Sequence, residues 1–175
     1  SSSNIIVTYG KTGIEYVADD CKVITSHTKI QCLTSPGTGI NHKYYLTIAS
    51  QRSIVLSTNA SYGSPTISGF TGDGAEQGLA RGYQIIYVSG TNFGPTITTI
   101  DRVYYSELNG TIFDTTSNCT MYTPHRTLQC FTLPGAGKRL SWNVIVDSQI
   151  SVTPMTSYSP PTITSLNGLR VNNAS

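Results

Sequence analysis

The chain repeats itself, and the repeat fixes how everything else in it must be organised. "CKVITSHTKIQCLTSPGTG" (residues 21–39) aligns without a gap on "CTMYTPHRTLQCFTLPGAG" (residues 119–137), 98 residues further on. Both cysteines, Thr25, His27, Gln31, Thr34, Pro36, Gly37 and Gly39 are kept. A second stretch, "SYGSPTISGF" (61–70), aligns on "SYSPPTITSL" (157–166) at a spacing of 96, so one short loop differs by two residues. A period near a hundred residues is the length of a domain, not of a solenoid turn. The boundaries fall where a turn-rich segment hands over to "PTI", at Pro65 and Pro161. Residues 65–160 then form one complete unit, and residues 1–64 match only the later part of one, entering at "NIIVTYG". Residues 161–175 match only an opening strand.

Within the complete unit the short-range pattern is strand and turn. "GYQIIYVSG" and "LSWNVIVDSQISV" alternate apolar and polar residues, are rich in Val, Ile, Thr and Tyr, and break at Gly, Pro or Asn. This predicts strands over 65–70, 82–89, 97–105, 118–123, 127–132, 140–147 and 149–154. Seven strands in some 95 residues make a two-sheet sandwich. Counting in twos puts Trp142, Val144 and Val146 on the inward face, and Tyr44, Leu46 and Ile48 at the same places one repeat earlier.

"PTISGF" (65–70), then "GYQIIYVSGTNFG" (82–94), a cysteine pair and "PGAG" (134–137), in that order, resemble the IPT/TIG domain of plexins, some transcription factors and many microbial surface proteins. "GTNFG" (90–94), closing a strand, is the strongest local match. The resemblance covers nearly the whole chain, as one full unit with the later strands of a preceding one and the first strand of a following one. It implies an all-β architecture of tandem early immunoglobulin-like sandwiches. For tandem extracellular copies it implies adhesion, recognition or spacer roles. The first unit departs from the pattern, having no "PTI" or "GTNFG" strand of its own.

Each motif that suggests chemistry has an architectural reading. Four cysteines allow three pairings, and the pairing that recurs in each repeat joins Cys21 to Cys32 and Cys119 to Cys130. A metal reading fails because only His27 or His125 accompanies each pair, one ligand short of a tetrahedral site. His125 is expected in the solvated turn between the linked strands, and His42 has no counterpart. "PGAGK" lacks the first glycine of a phosphate loop and places Arg139 where a hydroxyl is required, while its twin "PGTGI" lacks the lysine. A glycine turn is the simpler account. "GDG" (72–74) is too short for a calcium loop, and the scattered acids, Asp19, Asp20, Asp73, Asp101, Asp114 and Asp147, give the three histidines no partner. These readings predict no catalytic residue, no metal and no bound cofactor. Trp142 and the many tyrosines would serve a sugar platform if exposed, but Trp142 lies on the inward face.

Charged residues make up 11% of the chain and its net charge is +2, against about 25% charged in a typical domain. Such sparse, scattered charge does not suit a phosphate backbone, so nucleic acid is not expected as a partner. No apolar run reaches the ~20 residues that cross a bilayer, and the opening "SSSNIIVTYG" lacks the basic and apolar regions of a signal peptide. The chain reads as a mature segment or an internal piece, with no membrane insertion. Four sequons, at Asn59, Asn109, Asn118 and Asn173, together with paired cysteines indicate an extracellular or cell-surface glycoprotein. They do not recur between repeats, since Asn118 aligns with Asp20 and Asn109 with Lys11, as expected of residues carried for glycans rather than for folding. "SPP" (159–161) has the composition of a hydroxyproline O-glycosylation site, at Pro160 and Pro161. The expected function is that of a non-enzymatic, glycosylated rod or filament subunit, with covalent glycans in place of cofactors. Its ragged ends would serve either head-to-tail self-association, residues 161–175 supplying a strand to the next subunit, or continuation into further repeats of a longer chain, and both give a linear assembly. The alternative is an adhesion or self-recognition receptor ectodomain that binds a surface protein through its loops or a sheet edge.

Overall fold

The computed structural model describes residues 5–58, 60–107, 110–151 and 154–165. The structure is nearly all β. In the first repeat the strands are β1 (Ile5–Gly10), β2 (Tyr16–Val17), β3 (Asp19–Thr25), β4 (Lys29–Leu33), β5 (Lys43–Ile48), β6 (Gln51–Arg52) and β7 (Leu56–Ser57). The second repeat contains β8 (Thr66–Thr71), β9 (Ile85–Thr91), β10 (Ile100–Ser106), β11 (Ile112–Asp114), β12 (Cys119–Thr123), β13 (Thr127–Phe131), β14 (Leu140–Val146), β15 (Gln149–Ile150) and β16 (Met155–Thr156). Single 3-10 turns at Ile97–Thr99 and Thr116–Asn118 lead into β10 and β12.

The second repeat is a closed antiparallel sandwich of the immunoglobulin-like kind. One sheet runs β12-β13-β9-β8; the other runs β11-β10-β14-β15, with β16 also on β14. Strand alternation decides what lies between them. Ile86 and Val88 from β9, Leu128 and Cys130 from β13, Val103 and Tyr105 from β10, and Trp142, Val144 and Val146 from β14 are all buried. Trp142 meets Phe70 across the sheets at 5.5 Å, and its indole N–H donates to the Thr156 hydroxyl at 2.8 Å. The Thr115 hydroxyl donates to the Phe131 carbonyl at 2.6 Å, pinning the edge of one sheet to the other.

Several expected strand limits shift, each for a local reason. β9 begins at Ile85 rather than at residue 82, because Gly82 and Tyr83 have φ of 70° and 58°, outside the extended region. Residues 97–99 coil into a 3-10 turn although they are β-branched, and β10 starts after them. β11 was not anticipated at all; three residues long, it pairs Tyr105 with Phe113 at the edge of β10. Of the strand expected over 149–154, β15 covers Gln149–Ile150, and β16 lies beyond it at Met155–Thr156. Residues 152–153 lie outside the described residues.

The first repeat follows the same plan and stops half-way. β2-β1-β5-β6, with β7 on β5, corresponds to the β10–β14 sheet, and β3-β4 corresponds to β12-β13. Residues 5–58 contain no counterparts of β8 and β9. The expected inward face therefore exists but is uncovered: Tyr44 and Leu46 are half-buried and Ile48 is 37% exposed, where Trp142, Val144 and Val146 are sealed.

Candidate functional site

The open face of the first repeat is the most unusual surface of the molecule. Among the described residues β4 pairs with β3 alone: Lys29 faces Thr25, Ile30 faces Val23 and Gln31 faces Lys22. Its equivalent, β13, carries β9 on the other side. Between the β3–β4 hairpin and the β1–β5 sheet lies a cleft of about 560 Å³ walled by Ile5, Val23, Ile30, Leu46 and Ile48 and by the polar residues 25–29 of the hairpin. It continues into a space of about 280 Å³ over Val7, Cys32 and Tyr44. An unpaired strand edge beside an apolar trough presents main-chain groups for hydrogen bonding and pockets for alternate side chains, which is what a strand-accepting site needs.

One end of this trough is closed by aromatic rings. Tyr9 stacks on Tyr44 with centroids 5.2 Å apart, and Tyr16 and Tyr62 pack around it. The Tyr9 and Tyr62 hydroxyls lie 2.7 Å apart, and Tyr9 accepts the Ser35 N–H at 2.9 Å while Tyr62 donates to the Ser35 carbonyl. The second repeat builds the same clamp from Tyr105 and Tyr158, 2.8 Å apart, around the N–H and carbonyl of Leu133. Burial raises the Tyr62 and Tyr158 phenols well above their ordinary value, and the hydroxyl partner of each adds to the effect. These tyrosines did not stand out as functional positions in the sequence. The signal was there, since "SYG" and "SYS" and the tyrosines of "VTYG" and "VYYS" recur at the repeat spacing.

His42 sits inside this cluster at the place Leu140 fills in the second repeat. It is buried, edge-on to Tyr9, Tyr16 and Tyr62, and neither ring nitrogen has a hydrogen-bond partner. The other two histidines are turn residues. His27 and His125 have φ of 62° and 61° at the tips of the β3–β4 and β12–β13 hairpins, a left-handed position that His tolerates better than most residues. His27 is exposed, whereas His125 is half-buried, its N–H donating to the Gly94 carbonyl at 2.8 Å. The expectation of a solvated His125 is corrected to that extent, because the "GTNFG" loop folds over it.

Disulfides join Cys21 to Cys32 and Cys119 to Cys130. The second is sealed under β9; the first is half-buried and lines the open trough. Gly39 and Gly137, at the same place in the two "PG-x-G" loops, have φ of 105° and 136°, which accounts for the second glycine of each loop without a phosphate ligand. Lys138 is exposed. Among the described residues no group of three His, Cys, Asp or Glu side chains converges.

Asn118 is exposed where the Thr116–Asn118 turn meets β12, immediately before the buried Cys119. Pro160 and Pro161 are exposed as well. Asn59, Asn109 and Asn173 lie outside the described residues. The two repeats are joined by polar contacts: the Thr38 hydroxyl donates to Asp147 at 2.6 Å, and the Gln149 amide donates to the Tyr62 carbonyl at 3.1 Å and the Ser64 hydroxyl at 3.2 Å. Two disulfides are what an oxidising environment produces, and no helix among the described residues is long and apolar enough to cross a membrane. No protein-family model, curated protein or solved structure matches the chain.

Proposed function

We propose that the protein is a non-enzymatic, extracellular structural protein, a glycosylated rod or filament subunit built from tandem sandwiches of the IPT/TIG type. One observation carries this reading: the first repeat presents an open apolar trough with a free strand edge, while residues 161–165 leave the second repeat exposed and unpaired. Donor and acceptor lie on different surfaces, and a contact between unlike surfaces repeats without closing. The polar contacts joining the repeats support an extended array over a freely hinged one. Exposed Asn118, Pro160 and Pro161 support a sugar-bearing exterior. The same free edge would serve a surface receptor that captures a partner's strand, which is the second reading.

Assembly separates the two. Sedimentation velocity and negative-stain microscopy over rising protein concentration are expected to show linear particles of growing length. Monodisperse single particles throughout the range would remove the filament reading and leave the receptor. A shift in intact mass on glycosidase treatment of protein from its source is expected as well, and an unchanged mass would remove the glycan component.

A further inference from the structure

We propose that the trough beside β4 takes residues 161–175 of a second copy of this chain, bound as an added antiparallel strand in the place that β9 occupies in the second repeat. The inference rests on the linear-assembly reading above and adds the occupant and its register.

The second repeat shows what the trough lacks. β9 lies antiparallel on β13 with Val88 opposite Leu128, Ile86 opposite Cys130 and Ile85 opposite Phe131. Ile86 and Val88 point inward and are fully buried, as are Leu128 and Cys130 beneath them. At the repeat spacing of 98, Leu128 corresponds to Ile30, Cys130 to Cys32 and Phe131 to Leu33. With no strand beside them, Ile30 and Cys32 are half-buried and Leu33 is 59% exposed. The missing strand must therefore bring two apolar side chains one residue apart, the earlier over Cys32 and the later over Ile30.

The tail meets that requirement. Leu169 and Val171 stand one residue apart, as Ile86 and Val88 do, with the polar Arg170 and Asn172 at the alternate positions. Ile163 has the same parity, so a single extended strand carries all three on one face. Residues 161–165 repeat the opening of β8, yet they pair with nothing among the described residues, and Ile163 is 80% exposed. Among the described residues, β4 thus has a free edge and residues 161–165 have no pairing partner. Their union between copies covers both.

Mixing two variants tests this. Leu169→Asp with Val171→Asp blocks the tail and leaves the described surface untouched; Ile30→Asp blocks the trough. Each alone is expected to stay monomeric, and an equimolar mixture is expected to stop at a heterodimer, through the intact tail of one chain and the intact trough of the other. That readout survives even if Ile30→Asp disorders its own first repeat. A labelled peptide of residues 161–175 should bind the tail-blocked chain and lose at least tenfold in affinity when it carries Val171→Asp. Filaments that persist in the tail-blocked chain would overturn this proposal and leave linear assembly standing. A wild-type chain that never assembles, with the peptide still bound by the tail-blocked chain, would overturn both linear assembly and the second-copy occupant, pointing to a tail folded back on its own trough. Failure of the peptide to bind would overturn the proposal outright, as would a trough already filled by another segment in protein from its source.

Discussion

At the scale of single residues, the clearest case is His42. A buried imidazole with two unpartnered nitrogens costs more than the leucine that fills the same place in the other repeat, because desolvating an unsatisfied polar group costs about 1–3 kcal/mol. His42→Leu is therefore expected to raise the denaturation midpoint at unchanged m-value; a lower midpoint would show that the imidazole contributes something an alkyl group cannot. Tyr158→Phe should act in the opposite direction, since it strips the Leu133 carbonyl and the Tyr105 hydroxyl of a partner, at a cost of about 1–3 kcal/mol. The clamp also predicts behaviour in alkali. Because folding raises the Tyr62 and Tyr158 phenols above their unfolded value of 10.0, their contribution is complete below that pH and is lost as pH rises through the higher folded values. Glu15 gives the acid counterpart. Burial opposes its ionisation, but hydrogen bonds from the Thr12 hydroxyl and from the N–H groups of Thr12, Glu15 and Ile14 outweigh it and lower its carboxyl to about 2. The stability it lends the 10–16 turn is present above the unfolded value of 4.5 and lost as pH falls from there to about 2. Carbon-detected titration of Glu15 should find a midpoint near the lower figure, and one near 4.5 would contradict these contacts.

At the scale of elements, the two repeats are an internal control for one another. Trp142→Ala on β14 is expected to cost about 3–5 kcal/mol, because its ring is sealed between sheets. Leu46→Ala on β5 should cost less, about 1–2 kcal/mol, because its side chain borders the open trough and is only partly buried. Calorimetry of the two variants checks the contrast, and equal losses would mean that the first repeat is closed. The cysteine spacing, the inward face of β14 and the glycine turns were legible because each rests on a local pattern kept twice. The motif Pro-Thr-Ile marks the limit. It opens β8 at 65–67, forms the start of a 3-10 turn at 95–97 and is unpaired at 161–163. What differs is the partner, which no local pattern encodes. β11 escaped notice for the same reason, being a strand only because β10 lies beside it. Of the walls of the trough, Tyr44, Leu46 and Ile48 are legible as an inward face by counting in twos, whereas the β3–β4 wall and the openness of the trough depend on strands absent from residues 5–58.

At the scale of the whole molecule, a closed sandwich and an open one are joined through Thr38–Asp147 and Gln149–Tyr62, and residues 161–165 follow the closed unit exposed and without strand pairing among the described residues. Completion of the open unit by an added strand should register in amide hydrogen exchange on residues 29–33, with residues 127–131 as the reference inside the same chain. In the dispersed protein, residues 29–33 should exchange much faster than 127–131, and on assembly they should become protected to a similar degree. Equal protection of the two strands in the dispersed chain, or exchange at 29–33 that assembly leaves unchanged, would contradict it.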